Sequence, residues 1–401
     1  MLLSGKYPYS NGVVSNCNSK SAPHGVELNT AERCWSDILS EQGYATGYIG
    51  KWHLDAPYPP YLDCLNNHGE TQWNEWCPPE RRHGFDYWYS YGTYDFHDRP
   101  LYWETQAPRN GFHYVDQWGP EHEADQAIQF LENRNQDFRD PDKPFALVVS
   151  MNPPHMPYDR VPQKYVDLYQ NIVLEALCER PNIPPEGTEW GDYYRKHIRN
   201  YYAMISGVDE QFGRILQALE ALDLSKNTLV VFTSDHGDCL GIHHQQSKKN
   251  IYEESFRVPF LARWPGQIPA RRDSLLLSAP DIYPTLLGLL GWEDQIPETV
   301  EGHNFAPTFR GELQSRPESQ YYLNCTLGQP GGGGRGIRNH RYSYLQDRTA
   351  EEARTFLFDR QTDPFQLENI AGKLPELERQ LNRKLRVWLK ATGDPWIRDI
   401  D

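Results

Sequence analysis

The stretch FALVVSMNPPH, residues 145–155, decides the fold class of this chain. Its first part, Phe145–Val149, is a continuous apolar run, which is typical of a parallel strand buried on both faces. The run ends in Ser150, and a polar segment containing His155 comes directly after it. The pattern predicts a buried strand whose carboxyl end carries residues that are able to do chemistry.

Two other apolar runs end in the same way, Ala45–Ile49 before GKWHLD and Leu229–Phe232 before TSDHGD. Apolar residues at helical spacing mark the segments Glu123–Asn133, Tyr201–Leu222, Asp281–Leu290 (entered through Pro284) and Pro375–Ala391. Strands that alternate with helices favour an α/β fold, with a largely parallel sheet flanked by helices. Met1, Leu2 and Leu3 are interpreted as one apolar turn of helix.

The pattern predicts a main α/β domain over residues 1–295 and a smaller C-terminal α+β subdomain over residues 296–401. The subdomain contains the strand-like runs Gln320–Asn324, Tyr342–Leu345 and Phe356–Asp359, and then the terminal helix. The glycine run Gly331–Gly334 is interpreted as a flexible loop. Pro57–Pro120 is interpreted as a long irregular loop rich in Trp and Tyr, which would border a site.

Composition narrows the class of protein. The chain has 401 residues and a net charge of −15, which disfavours nonspecific binding to nucleic acid. No apolar run approaches the roughly 18–20 residues of a membrane span. The seven cysteines form no C-x-x-C pair, so a thiolate zinc site is not expected. A bridge between Cys64 and Cys77 stays open, and the sequence gives no indication of oligomeric state.

The carboxyl ends of parallel strands meet at one edge of a sheet, so the polar residues after the three strands are expected to converge there. Lysines, histidines and a carboxylate together suit a tetrahedral anion such as sulfate or phosphate. Taken singly, the lysines could be solvated, His155 could be an ordinary loop histidine, and Asp235-His236-Gly237 could cap a helix. Their occurrence at three strand ends favours a site over these alternatives.

The chain carries, in order, GYATGYIGKWHL, NPPHMPY, TSDHGD, a loop ending in Lys248, YEESFRVPFLARWPG, EGHNFAPTFRG, RGIRNHRYSYL and LFDRQTDPFQLENIA. This ordered set resembles the sulfatase family of the alkaline-phosphatase-like superfamily over nearly the whole chain. The resemblance implies hydrolysis of a sulfate ester, on a sulfated small molecule or carbohydrate. It also implies a divalent metal, with Ca²⁺ favoured and Mg²⁺ as the alternative.

The family nucleophile is a formylglycine made within C/S-x-P-S-R, and the opening MLLSGKYPYSNGV resembles the family segment directly after that motif. The first strand, its Asp pair and the nucleophile are therefore expected to lie ahead of Met1, and the chain by itself is expected to have little or no sulfatase activity. Cys77-Pro78-Pro79-Glu80-Arg81 fits C-x-P-x-R, but it comes after GKWHLD instead of before MLLSG. An ordinary cysteine before a Pro-Pro turn is the preferred interpretation.

The resemblance also implies roles for the residues after the strands. Lys51 and Lys248 would hold sulfate oxygens. His53 would hydrogen-bond the formylglycine hydroxyl. His155 would protonate the leaving alcohol.

For the metal, the resemblance implies Asp235 and His236 as ligands, and oxygen-preferring cations make Asp235 the safer of the two. His97 is expected to touch substrate. The Trp and Tyr residues of 57–120 could stack on sugar rings, or they could pack the loop itself.

Two alternatives stay open. One is a non-catalytic relative that binds sulfated glycans, and the other is a phosphoester or phosphonate hydrolase of the same superfamily. Export to the periplasm or the exterior is expected if a signal peptide lies ahead of Met1, and a cytoplasmic location otherwise.

Overall fold

The computed structural model describes residues 1–350 and 352–399, and it confirms the α/β class. The helices are α1 (Pro8–Asn11), α2 (Trp35–Glu41), α3 (Gly119–Glu132), α4 (Gln163–Val166), α5 (Glu189–Ala221), α6 (Glu253–Phe256), α7 (Ala279–Leu289), α8 (Ala306–Arg310) and α9 (Pro375–Ala391). The strands are β1 (Ala45–Lys51), β2 (Tyr87–Tyr91), β3 (Leu101–Glu104), β4 (His113–Tyr114), β5 (Phe145–Ser150), β6 (Val230–Thr233), β7 (Phe260–Arg263), β8 (Gln320–Thr326), β9 (Gln329–Arg338), β10 (Tyr342–Arg348) and β11 (Arg354–Asp359).

The chain divides into two compact units. The first contains residues 1–15, 178–196 and 229–401, and the second contains residues 16–177 and 197–228. The boundary expected between residues 295 and 296 stays a prediction. Within the described part of the chain, no helix is both long enough and apolar enough to cross a membrane.

The second unit is built on a five-stranded sheet in the order β4-β3-β2-β1-β5. Strand β1 pairs parallel with both β2 and β5. Strand β3 pairs antiparallel with β2 and with β4. The expectation of a largely parallel sheet is therefore wrong in this respect, because the sheet is mixed.

The antiparallel part of this sheet comes from residues 57–120, which the sequence pattern assigned to one irregular loop. Short aromatic runs in this segment form β2, β3 and β4, and aromatic residues suit strands because they pack on a pleated surface. Trp88 and Trp103 are each 1% exposed, and Tyr102 is fully buried. Most of the aromatic side chains of this segment therefore form hydrophobic core.

Strand β5 was expected to be buried on both faces, and this expectation is wrong. It stands at the edge of the five-stranded sheet, paired with β1, and all six of its residues are only partly buried. Strand β6 pairs antiparallel with β7 in the first unit, and it is also only partly buried. Continuous apolar runs predict strands reliably, but they do not fix where a strand lies in a sheet.

The first unit contains the antiparallel sheet β11-β10-β9-β8. Gly331–Gly334 lies inside β9, so the flexible-loop interpretation is wrong. A Cβ on Gly333 would lie 2.0 Å from the Asn324 carbonyl oxygen, and one on Gly336 would lie 2.3 Å from the Tyr344 oxygen. The glycines let neighbouring backbones approach closely, which a sequence pattern cannot distinguish from flexibility.

Three of the predicted helices start earlier than the sequence pattern indicates. Helix α3 begins at Gly119, four residues before the predicted start at Glu123. Helix α5 begins at Glu189, twelve residues before the predicted start at Tyr201. Helix α7 begins at Ala279 behind a capping box, in which Ser278 and Asp281 satisfy each other's backbone N–H groups. Pro284 therefore lies inside the helix and is not its entry. The terminal helix α9 has the predicted bounds.

The amino-terminal residues form a single turn, in which the Gly5 N–H donates to the Met1 carbonyl oxygen at 2.8 Å. The next element along the chain is the helix α1, which starts at Pro8.

Candidate active site

One group of the predicted site residues lies in the second unit, at the carboxyl ends of β1 and β5. Lys51 is the last residue of β1, and the register pairs Gly50 with Ser150 of β5. The Lys51 Nζ donates a hydrogen bond to the Asn152 Oδ1 at 3.0 Å. The expectation that neighbouring parallel strands bring their terminal residues together is therefore confirmed for these two strands.

Asn152 is the residue that sequence reasoning missed. It is 7% exposed, and its Nδ2 donates to the Tyr94 carbonyl oxygen at 2.9 Å. The same nitrogen lies 3.5 Å from the His97 Nδ1. Its position two residues after β5, directly before Pro153, was the available signal. Because its amide nitrogen is also hydrogen-bonded, the Asn152 side chain has a fixed orientation, and so does the oxygen that accepts from Lys51.

His97 is 3% exposed, and its Nε2 donates to the His155 carbonyl oxygen at 2.9 Å. Its Nδ1 therefore carries the lone pair that faces Asn152. Burial lowers the pKa of His97, so the ring stays neutral near pH 7. The structure places His97 between Asn152 and the backbone of His155, while its expected contact with substrate stays a prediction.

His155 is partly exposed, and its Nδ1 donates to the Met156 carbonyl oxygen at 2.8 Å. A carboxylate oxygen of Asp95 lies 3.6 Å from the same nitrogen. Because a carbonyl oxygen only accepts, Nδ1 keeps its proton, and Nε2 is the nitrogen at which a proton would be exchanged. The nearby carboxylate would stabilise a positive charge on this ring.

His53 stands two residues after β1 and has a left-handed backbone with φ of 54°. Its Nε2 donates to the Cys17 carbonyl oxygen at 3.1 Å, so its Nδ1 carries the lone pair. The His53 ring also packs against Trp73, with ring centroids 6.2 Å apart. Positive φ is sparsely populated by residues other than glycine, and such residues cluster at functional sites.

The other group lies in the first unit, in the loop after β6. The His236 Nδ1 donates to the Gly237 carbonyl oxygen at 2.8 Å, so the Nε2 carries the lone pair. The Lys248 Nζ lies 2.5 Å from that Nε2, and an oxygen of Asp235 lies 3.3 Å from it. No helix begins at Asp235 within the described residues, so the helix-cap alternative is wrong.

The loop after β6 makes a backbone hydrogen bond to the YEESFRVP motif. The Gly237 N–H donates to the Ser255 carbonyl oxygen in α6 at 2.7 Å. A Cβ on Gly237 would lie 2.0 Å from the Glu254 carbonyl oxygen. Glycine is required at this position because the two backbones touch.

Comparisons with known proteins test the family resemblance of the sequence. The profile of the family described as Sulfatase matches residues 1–292. The profile described as N-sulphoglucosamine sulphohydrolase, C-terminal, matches residues 241–391. The chain is 40% identical over 418 residues to the endo-4-O-sulfatase of Bacteroides thetaiotaomicron, covering 99% of this chain and 80% of that one. The chain belongs to the sulfatase family.

Two further relatives agree with this assignment. The chain is 33% identical over 405 residues to the ulvan-active sulfatase of Formosa agariphila, covering 98% of this chain and 71% of that one. A crystal structure of a Bacteroides fragilis protein described as the sulfatase yidJ superposes with a TM-score of 0.94 at 49% identity. That alignment covers 100% of this chain and 86% of the other. The sulfatase fold and the family resemblance of the sequence are thereby confirmed.

Sulfatases use a divalent metal ion, and the loop after β6 offers donors that fit one. Asp235 has a side chain that is 77% exposed, and its carboxylate lies beside the lone pair of His236. A cation stabilises two acceptors that lie this close together, and the Lys248 ammonium stands beside the His236 Nε2. One carboxylate and one imidazole are a partial set for Ca²⁺, which takes six to eight oxygen ligands.

A second cluster of metal-ligand types in the second unit has a simpler explanation. Atoms of Cys34, Asp37 and His83 lie within 4.8 Å of one another. Cys34 and Asp37 form the capping box of α2, each satisfying a backbone N–H of the other. This cluster therefore serves the start of a helix, and it is distinct from Asp235 and His236, which the resemblance implies as metal ligands.

Sulfatases also use a formylglycine, and Cys77 does not fit that role. The Cys77 side chain is 4% exposed, and burial holds the pKa of its thiol well above the usual value. Arg81, which would complete the motif, is paired with buried Asp55. All seven cysteines are free thiols, so Cys64 and Cys77 are not bridged.

Proposed function

We propose that this chain acts on sulfate esters of a carbohydrate, with Lys51 as a sulfate ligand and His155 as the proton donor. The observation that carries the proposal is the hydrogen bond from the Lys51 ammonium to the Asn152 amide oxygen, at the joint end of β1 and β5. It ties a cation to a buried group three residues before His155 and so prepares a place for an anion. The relatives that act on sulfated glycans support the choice of sulfate and of carbohydrate.

Lys51 would bind one sulfate oxygen and offset the negative charge that develops as the ester bond breaks. A lysine held in place by Asn152 loses less side-chain entropy on binding than a freely rotating one. Lys248 would serve in the same way in the loop after β6, where it now stands at His236.

His155 would protonate the leaving alcohol from its Nε2, since its Nδ1 proton is held by the Met156 carbonyl oxygen. The Asp95 carboxylate would stabilise the charged ring before transfer. General acid catalysis of this kind contributes typically about 10²–10⁴-fold. This is a small part of an enzymatic acceleration of about 10⁶–10¹⁷-fold, so other groups must supply the rest.

Asp235 and His236 would contribute ligands to a divalent cation, with Ca²⁺ proposed ahead of Mg²⁺. Such a cation would stabilise negative charge on the sulfate ester. His53 would hydrogen-bond the nucleophile through its Nδ1, because its Nε2 is taken by Cys17. Since these 401 residues contain no C/S-x-P-S-R motif, no catalytic step is assigned to a formylglycine.

The proposal is tested by calorimetric titration of the 401-residue chain with sodium sulfate and with a 4-O-sulfated glycosaminoglycan tetrasaccharide. Lys51→Ala is expected to weaken both by about tenfold, equivalent to about 1.4 kcal/mol. Lys143→Ala is the matched control, because this exposed lysine precedes β5, roughly 20 Å from its carboxyl end. Equal affinities for Lys51→Ala and wild type would refute the role of Lys51.

Release of inorganic sulfate from the tetrasaccharide separates the enzyme from a glycan-binding protein. We expect no turnover from the 401 residues alone, and turnover from a version joined to an in-frame C/S-x-P-S-R segment converted to formylglycine. Binding without turnover in both versions would favour the glycan-binding alternative. Turnover by the chain alone that is lost in Cys77→Ala would reinstate Cys77 as the nucleophile. Faster release of phosphate from a phosphate ester would favour the phosphoester hydrolase.

A further inference from the structure

Trp73 differs from the buried aromatic residues of the segment 57–120. Trp88, Tyr102 and Trp103 are buried in the core of the second unit. The Trp73 side chain is instead only partly buried, and its ring lies 6.2 Å from the ring of His53 at an interplanar angle of 63°. A large apolar surface therefore stands beside a residue of the proposed site.

The backbone at Trp73 is held by buried amides. The Asn67 Oδ1 accepts from the Trp73 N–H at 2.8 Å and from the Asn74 N–H at 2.9 Å. Asn67 is 7% exposed and Asn74 is fully buried. The Asn74 Oδ1 in turn accepts from the Gly92 N–H, just after β2, at 2.9 Å. Trp73 thus stands on a rigid part of the fold, although it is not in a strand or helix.

The same framework holds His53. The Ser19 N–H donates to the Gln72 carbonyl oxygen at 2.9 Å, and the Gln72 N–H donates to the Ser19 Oγ at 2.9 Å. These two bonds join the segment of Trp73 to the segment of Cys17, whose carbonyl oxygen accepts from His53. The backbone segments that carry Trp73 and the partner of His53 are therefore joined by hydrogen bonds.

We propose that the Trp73 indole is a platform on which a sugar ring of the substrate stacks, beside His53. The proposal rests on the proposed function, because it takes His53 and Lys51 as the place where the sulfate ester is held. The C–H face of a sugar ring is positively polarised, and it matches the negative face of an indole. Because the backbone at Trp73 is already ordered, little conformational entropy is lost there when a ligand binds. Trp73 would thus select carbohydrate sulfates over small sulfate esters.

The test is calorimetric titration of the 401-residue chain, which needs no turnover. The probes are sodium sulfate, a 4-O-sulfated glycosaminoglycan tetrasaccharide and its desulfated counterpart. Trp73→Ala is expected to weaken the tetrasaccharide by about tenfold and to leave sodium sulfate unchanged. Trp73→Phe is expected to recover most of the tetrasaccharide affinity, because a smaller aromatic face remains.

Tyr44→Ala is the matched control, since this partly buried aromatic residue precedes β1, roughly 20 Å along the strand from Lys51. It is expected to bind every probe as the wild type does. Near-ultraviolet circular dichroism and urea unfolding report whether each variant is folded.

The outcomes distinguish the two proposals. A Trp73→Ala variant that binds the tetrasaccharide as tightly as wild type would overturn the platform. So would a variant that loses sodium sulfate and tetrasaccharide equally, because that indicates a general disturbance of the site. If the wild type binds neither sulfated probe, the proposed function fails and the platform fails with it. If only Lys51→Ala is without effect, the sulfate site is misplaced, while a selective loss in Trp73→Ala still supports the platform.

Discussion

Asn152, after β5, is buried and tied to several separate segments, whereas Asp235, after β6, is exposed. Asn152 is 7% exposed and joins Lys51, Tyr94 and His97. Asp235, by contrast, has a side chain that is 77% exposed. Its described hydrogen bonds are to its neighbours in sequence.

The two residues differ in whether their surroundings are ordered before a ligand binds. A buried network is in place before any ligand arrives, because each of its polar atoms must already have a partner. An exposed carboxylate is hydrated and can turn towards a cation at little cost. The first arrangement suits an anion of fixed tetrahedral shape. The second suits a metal ion that brings flexible coordination.

The largest effect expected concerns Glu123, a buried residue of α3 whose carboxyl group lies next to Gly50 of β1. Burial raises its pKa to about 8, and the hydroxyls of Tyr91 and Tyr102 donate to it. The folded state thus holds a proton that the unfolded chain releases near pH 4.5. The contribution of Glu123 to the free energy of unfolding is complete below about pH 4.5. It falls by roughly 3–5 kcal/mol as the pH rises to about 8.

Urea unfolding at a series of pH values measures this loss. Glu123→Gln is expected to remove the slope, because the amide does not titrate. Glu104→Gln, on an exposed residue of β3, is the control and should keep the slope. A wild-type stability that stays constant between pH 5 and 8 would contradict the prediction and would weaken the contrast between the two regions.

The next effect concerns Asn152→Ala. This change leaves the Tyr94 carbonyl oxygen without its partner and Lys51 without its anchor, so a loss of about 2–3 kcal/mol in unfolding free energy is expected. Sulfate affinity should fall as well. Ser234→Ala, which removes an exposed hydroxyl bonded to the His236 carbonyl oxygen, should change stability by less than about 0.5 kcal/mol. Equal losses of unfolding free energy in Asn152→Ala and Ser234→Ala would contradict the contrast between the two regions.

A smaller effect is expected from Gly237→Ala, which tests the backbone contact between the loop after β6 and helix α6. Its Cβ would meet the Glu254 carbonyl oxygen, so the loop must shift at a cost of about 1–3 kcal/mol. Calcium titration followed by tryptophan fluorescence or calorimetry should show weaker binding than in wild type. Unchanged stability and calcium binding would show that the loop adapts freely.

The smallest effect is expected from Asp235→Asn. The side chain is exposed, so the free energy of unfolding without metal should change by less than about 0.5 kcal/mol. Calcium binding should nevertheless be lost, because an amide is a weaker ligand than a carboxylate. Calorimetry with CaCl₂ measures this, with Asp238→Asn as the neighbouring control. Retained calcium binding would place the metal ligands elsewhere.

The sequence predicted elements better than it predicted neighbours. The apolar runs at β1, β5 and β6 were recognised, and helix α9 was found with its observed bounds. Edge positions were missed, because a continuous apolar run looks the same in the centre and at the rim of a sheet. The glycine run in β9 was misread for a related reason, since close backbone approach leaves no side-chain pattern.

The sequence by itself determined the fold class, the family and the residues at the ends of the strands, because periodicity and motifs are local properties of a chain. Only the tertiary structure decided that Asn152 anchors Lys51, that His97 is buried and that Trp73 stands beside His53. Each of these facts depends on which distant segments meet. These contacts form only when segments that are far apart in the sequence pair in the fold. The spacing of residues within one segment carries no information about them.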